Sequence, residues 1–148
     1  MPNTFTSLHY HIFFSTKNRE PWIAKEYRDR LWEYLGGTIR GLGGHPHQIG
    51  GVADHVHLAM GLKPTHSVSK VMQELKKASS SWVHDELRLP GFAWQDGYTA
   101  LTVSASVLPK LVDYVANQEQ HHRRKTFREE MEEFLRKAGV KFDPKYLD

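Results

Sequence analysis

Two stretches of helical periodicity, Lys25 to Leu42 and Ser67 to Leu87, each stand between stretches that alternate as strands do, and that ordering leaves few folds open. In the first, Trp32, Leu35, Ile39 and Leu42 recur at spacings of three and four; in the second, Val68, Val71, Met72, Leu75, Ala78 and Trp82 mark one face. Ahead of them, "SLHYHIFFS" alternates Leu8, Tyr10, Ile12 and Phe14 against Ser7, His9, His11 and Phe13, the pattern of a strand. Between them, Gln48 to Ala53 and His55 to Leu62 predict a hairpin turning near Asp54. "AWQDGYTALTVS" predicts a further strand or short hairpin. Ser106 as N-cap and Pro109 in the first turn predict a third helix reaching about Gln120. A last helix takes Phe127 to Lys137, stopped by Gly139.

The order β-α-β-β-α-β-α-α predicts an α+β fold of split β-α-β (ferredoxin-like, RRM-like) type. It is a mainly antiparallel sheet with two helices on one face and a C-terminal helix beyond them. At 148 residues the chain suits one domain, 1–148, with 125–148 a C-terminal helical extension. Zero cysteines exclude disulfides and thiolate metal sites, so any metal takes nitrogen and oxygen ligands. No apolar run reaches the roughly 20 residues of a membrane span, and "MPNTFTSLHY" lacks the pattern of a signal peptide. A cytoplasmic protein is expected. The net charge of +3 says less than its distribution, with Arg123, Arg124, Lys125 and Arg128 in one short segment.

Three His-x-His triplets need sorting. In "VADHVHLAM", His55 and His57 share one strand face with Ala53 and Ala59, while Val52, Val56, Leu58 and Met60 take the opposite, core-facing one. Small neighbours leave room there for a ligand. His9 and His11 lack such neighbours, and Pro46 makes "HPH" a poor central-strand site. Two imidazoles alone do not make a metal site. "LPKLVDYVANQEQHH" offers a completion: Tyr114 and Gln118 lie one helical turn apart, with His121 near the same line. Leu111, Val112 and Val115 supply that helix's packing side.

"DHVHLAM" resembles the histidine–hydrophobe–histidine motif of the HUH endonuclease superfamily, and "DYVANQEQHH" the Tyr-x-x-x-Gln helix of its single-tyrosine transposases. These are the IS200-like transposases of the smallest insertion sequences and the REP-associated tyrosine transposases. "HIFFSTKNREPW" is similar to the family's first strand and loop, and "ELKKASSSW" to its second helix, so the likeness runs from about Tyr10 to Arg124. The resemblance implies metal ligation by His55, His57 and Gln118, nucleophilic attack by Tyr114, and Mg2+ or Mn2+ as cofactor. It further implies recognition of hairpin DNA and cleavage and rejoining of single-stranded DNA through a 5′-phosphotyrosine. By the same resemblance the protein is a bacterial, nucleoid-associated one. A homodimer exchanging tyrosine helices is the family's pattern, and REP-associated relatives act as monomers.

Lys17, Arg19, Lys76, Lys77, Arg123 and Arg124 are candidate phosphate contacts. Two other readings stay open. One is a metal-dependent phosphodiesterase in which water attacks. The other is a domesticated REP-type protein that binds or processes hairpins.

Overall fold

The structure, a computed structural model, describes residues 3–147. Met1, Pro2 and Asp148, the ends of the domain expected over 1–148, lie outside the described residues. The chain runs β1 (His9–Ser15), α1 (Lys25–Gly41), β2 (His45–Val52), β3 (His55–Gly61), α2 (Val68–Glu86), β4 (Thr99–Val103), α3 (Leu108–Ala116), α4 (Gln118–His121) and α5 (Phe127–Lys137). Short 3-10 turns occupy Lys17–Arg19 and Pro144–Leu147. The sheet order is β2-β3-β1-β4 with every neighbouring pair antiparallel, as the split β-α-β reading predicts.

β3 is central and buried on both faces from His55 to Met60, so its alternation sorts two kinds of side chain. Val56, Leu58 and Met60 join Ile12 and Phe14 of β1 in the main core, with Leu31, Leu35 and Ile39 of α1 and Val71, Met72, Leu75 and Val83 of α2. His55 and His57 are left on the opposite face with Ala59, under α3, α4 and α5.

Several boundaries move for identifiable reasons. Val52 pairs with His55 and so shares the histidine face, not the core face, and the turn is Ala53-Asp54. β2 begins at His45: "HPH" lies on an edge strand, where a register shift at Pro46/Gln48 accommodates the proline. The buried stripe of α1 runs through Leu31, with Trp32 only half-buried. In α2 it passes through Ser79 and Val83 rather than Ala78 and Trp82. Ser79 is tolerated because its hydroxyl donates to the Leu75 carbonyl (2.7 Å) and accepts from Trp94 Nε1 (2.9 Å). The stretch before β4 forms no hairpin, only a bridge between Trp94 and Thr16.

The tyrosine-bearing segment departs most. Val107, not Ser106, is its N-cap, and the helix stops at Ala116, where Asn117 (φ −109°, ψ 33°) leaves helical geometry before α4 restarts at Gln118. Arg28, nearly buried in α1, fixes this second piece by donating to Glu119 (2.9 Å) and to the Ile23 carbonyl (2.8 Å). α5 begins with a capping box in which Thr126 accepts from the Glu129 backbone N–H and Glu129 caps in return. That start sets the buried face of α5 as Phe127, Glu130, Met131 and Leu135. A glutamate interrupts an otherwise apolar stripe.

Candidate active site

The two histidines of β3 are held from behind. His55 Nδ1 donates to Asp54 Oδ1 at 2.7 Å, and His57 Nδ1 lies 2.8 Å from His11 Nε2. The carboxylate of Asp54 puts the His55 proton on Nδ1 and leaves its Nε2 lone pair facing forward, the arrangement of a metal-ligating histidine with a second partner, and the His11 contact holds the His57 ring with Nε2 turned toward the same space. "HYH" therefore matters in a way its sequence did not signal: His11 backs His57.

α3 and α4 bring the other expected residues to this point. Tyr114 lies edge-on to His57 with ring centroids 5.7 Å apart, and to His11 at 6.1 Å. Gln118 is 1% exposed; its Nε2 donates to the Tyr114 carbonyl, while Oε1 is buried without a hydrogen-bond partner among the described residues. The amide faces His55 closely enough to favour that ring's charged form. His121 packs on the phenol at 4.4 Å between ring centroids. Tyr114, His55, His57 and Gln118 thus meet within one chain.

Two further groups enter that sequence reasoning missed. Glu130 of α5 accepts from the Tyr114 hydroxyl through Oε2, and its Oε1 lies 2.9 Å from His57 Nε2. His122, just past α4, places Nε2 3.0 Å from His55 Nε2. The signal for Glu130 was present: it sits at i+3 from Phe127, inside the apolar stripe of α5. Nothing comparable marked His122.

The family described as "Transposase IS200 like" matches residues 4–118. The chain belongs to the IS200-like transposase family. A solved structure from Deinococcus radiodurans R1, described as a candidate transposase, is 28% identical with a TM-score of 0.64, over 78% of this chain and 94% of that one. The structure of a REP-associated tyrosine transposase bound to a REP hairpin shares the fold, with 15% identity and a TM-score of 0.56 over 78% of this chain and 70% of that one. A comparison with curated proteins finds no match. The family match ends at Gln118, so His122 and Glu130 of this transposase lie beyond it.

Burial governs the charge state of the transposase's site. It lowers the pKa of His55 and of His57, takes His11 down to about 3, and together with neighbouring His55 brings His122 to about 4. Asp54 is pushed up by burial, but its hydrogen bond to His55 and nearby positive charge outweigh that and leave it lowered. Glu130 moves the other way, raised to about 8 by burial and then by Glu133, so a neutral imidazole and a protonated carboxyl share the His57–Glu130 contact.

These shifts predict stability without metal. The buried imidazoles bind protons more readily when unfolded, so stability falls as pH drops below about 6.5. For His11 alone, with its pKa taken from 6.5 to about 3, the loss by pH 4 is roughly 3 kcal/mol. Glu130 binds its proton more readily when folded; its contribution is full below about pH 4.5 and is lost as pH rises toward about 8. Several histidines outweigh one glutamate below about 6.5, and above it only the glutamate's loss continues. Melting temperature measured in chelator should therefore peak between about pH 6 and 7. A steady rise from pH 6 to 9 would contradict it.

The basic candidates divide by what they touch. Arg19 donates to the Leu147 carbonyl and lies over Phe127, and the Lys76 ammonium donates to the Gln95 and Gly97 carbonyls (both 2.6 Å). Lys17, Lys77, Arg123 and Arg124 are exposed, the last two lining a hollow with Gln120 and His121. Among the described residues, no helix is long and apolar enough to cross a membrane.

Proposed function

We propose that this transposase cleaves and rejoins single-stranded DNA through Tyr114, using a divalent metal ion, Mg2+ or Mn2+, held by His55, His57 and Gln118. The observation that carries this reading is the phenol set edge-on to His57 of its own chain, whose ring adjoins His55. The donor set fits such an ion: two imidazoles direct Nε2 forward, and Gln118 Oε1 is a buried carbonyl oxygen without a hydrogen-bond partner among the described residues. A divalent ion there supplies charge that favours phenol ionisation and offsets negative charge on a scissile phosphate.

Free tyrosine titrates near 10, so this activation is needed at neutral pH. Tyr114 releases its proton to solvent and its oxygen attacks phosphorus. A phosphotyrosine bond forms on the 5′ side, the bond from phosphorus to the 3′ oxygen breaks, and that oxygen takes up a proton. Attack by another 3′ hydroxyl reverses the step and joins the strands without ATP. A cavity of about 580 Å³ beside Tyr114, lined also by Leu101, Val103, Lys110 and Phe134, gives a strand room to reach the phenol. Hairpin DNA is the proposed substrate, by analogy with the neighbour bound to a REP hairpin. Lys17, Lys77, Arg123 and Arg124 would meet its phosphates. With the tyrosine acting in cis, each copy in a homodimer would carry a complete site.

The test incubates the full chain with labelled single-stranded hairpin DNA from the gene's flanks, in Mg2+, Mn2+ or chelator, on a denaturing gel. A metal-dependent covalent adduct should form, and proteolysis with mass spectrometry should place the nucleotide on Tyr114. Tight hairpin binding with no adduct in either metal would replace this reading with a binding protein.

A further inference from the structure

We infer that the C-terminal helix completes the metal centre: Glu130, with His122, is a protein ligand to the same ion as His55 and His57, and its second carboxylate oxygen positions the Tyr114 hydroxyl. This rests on the metal site proposed above and extends it to residues beyond the family match.

Two pairs of ligand atoms already stand near coordination spacing, and the others lie a few tenths of an ångström to about 1.5 Å beyond it. Bonds of about 2.0–2.1 Å to nitrogen and oxygen place neighbouring donors roughly 3.0–3.4 Å apart, depending on geometry. The donor atoms here lie 2.9 Å (His57 to Glu130), 3.0 Å (His55 to His122), 3.5 Å (His122 to Glu130) and 3.8 Å (His55 to Glu130) from one another. All four residues offer atoms within a 4.8 Å span. Gln118 Oε1, buried and without a hydrogen-bond partner among the described residues, is an independent sign that a group belongs among them.

The placement of α5 is built rather than incidental. Phe127 stacks on His55 at 3.9 Å with planes 14° apart, the capping box fixes where the helix starts, and Arg19 holds the chain's far end at Leu147. Phe13 anchors the helix from the sheet through a cluster with Phe127, Met131 and Leu135. A carboxylate bridging metal and phenol would align the nucleophile before DNA arrives.

The test is calorimetric titration of Mn2+ into the full chain without DNA, for wild type, Glu130→Gln, Glu130→Ala, His122→Ala and His47→Ala. Glutamine keeps the shape and hydrogen bonds of the buried carboxyl, so Glu130→Gln should melt at or above the wild-type temperature in chelator. Its Mn2+ affinity should nevertheless fall at least tenfold, as should that of His122→Ala. His47→Ala, a histidine outside the cluster, should bind as wild type. Unchanged affinity in Glu130→Gln would overturn the inference, and tighter binding in Glu130→Ala would show that α5 blocks the site instead. Because no DNA is present, these results stand apart from the adduct assay. An adduct without the affinity loss sinks only this inference, and Mn2+ binding without an adduct sinks only the nucleophile.

Discussion

Tyr114→Phe should eliminate the covalent protein–DNA adduct to below detection while the protein still folds and still binds hairpin DNA. The substitution removes one oxygen. Ring contacts to His57, His11, His121 and Phe134 do not depend on it, since all four are made by the aromatic ring. What is lost is the hydrogen bond from the hydroxyl to Glu130 Oε2, at a cost of about 1 kcal/mol. A hydrolase using water would behave differently: its metal-dependent cleavage would survive in Tyr114→Phe, because the imidazoles and Gln118 are untouched. The denaturing gel separates these directly. Cleavage at the wild-type site in the variant would end the tyrosine mechanism, whatever its rate.

Much of this was legible in the sequence. Alternation through His55 to Met60 assigned the two histidines to the face away from the core, and helical spacing put Tyr114 and Gln118 together even though Asn117 divides their helix. Local periodicity survives such a break because both pieces pack on the same side of the sheet. Long-range pairings were not legible. His11 acquires its role only through the register that sets β1 against β3, and Glu130 only through the fold-back of α5 over the sheet. Arg19 and Lys76 read as free cations because nothing local shows that backbone carbonyls of distant segments accept from them.

The register also explains a glycine whose importance is purely steric, and Gly50→Ala is expected to be nearly as damaging as loss of the phenol. A Cβ at Gly50 would lie 2.0 Å from the Val115 carbonyl oxygen and 3.0 Å from its carbon, both backbone atoms of α3. Neither can rotate away. The methyl must push β2 and the tyrosine helix apart by roughly 1 Å or more, and a displacement of that size at a reacting group costs about 100-fold in rate. Val115 adjoins Tyr114, so the push acts on the nucleophile directly. Overpacking should cost about 1–3 kcal/mol of stability, which lowers the melting temperature without unfolding the protein. Neighbouring Gly51 faces the His55 carbonyl at 2.2 Å and would disturb the hairpin and the metal ligands instead. Gly50→Ala should slow adduct formation about 100-fold through the tyrosine helix, and Gly51→Ala should weaken Mn2+ binding through the His55 backbone. Wild-type adduct rates in Gly50→Ala would mean that α3 need not approach the sheet this closely for Tyr114 to work.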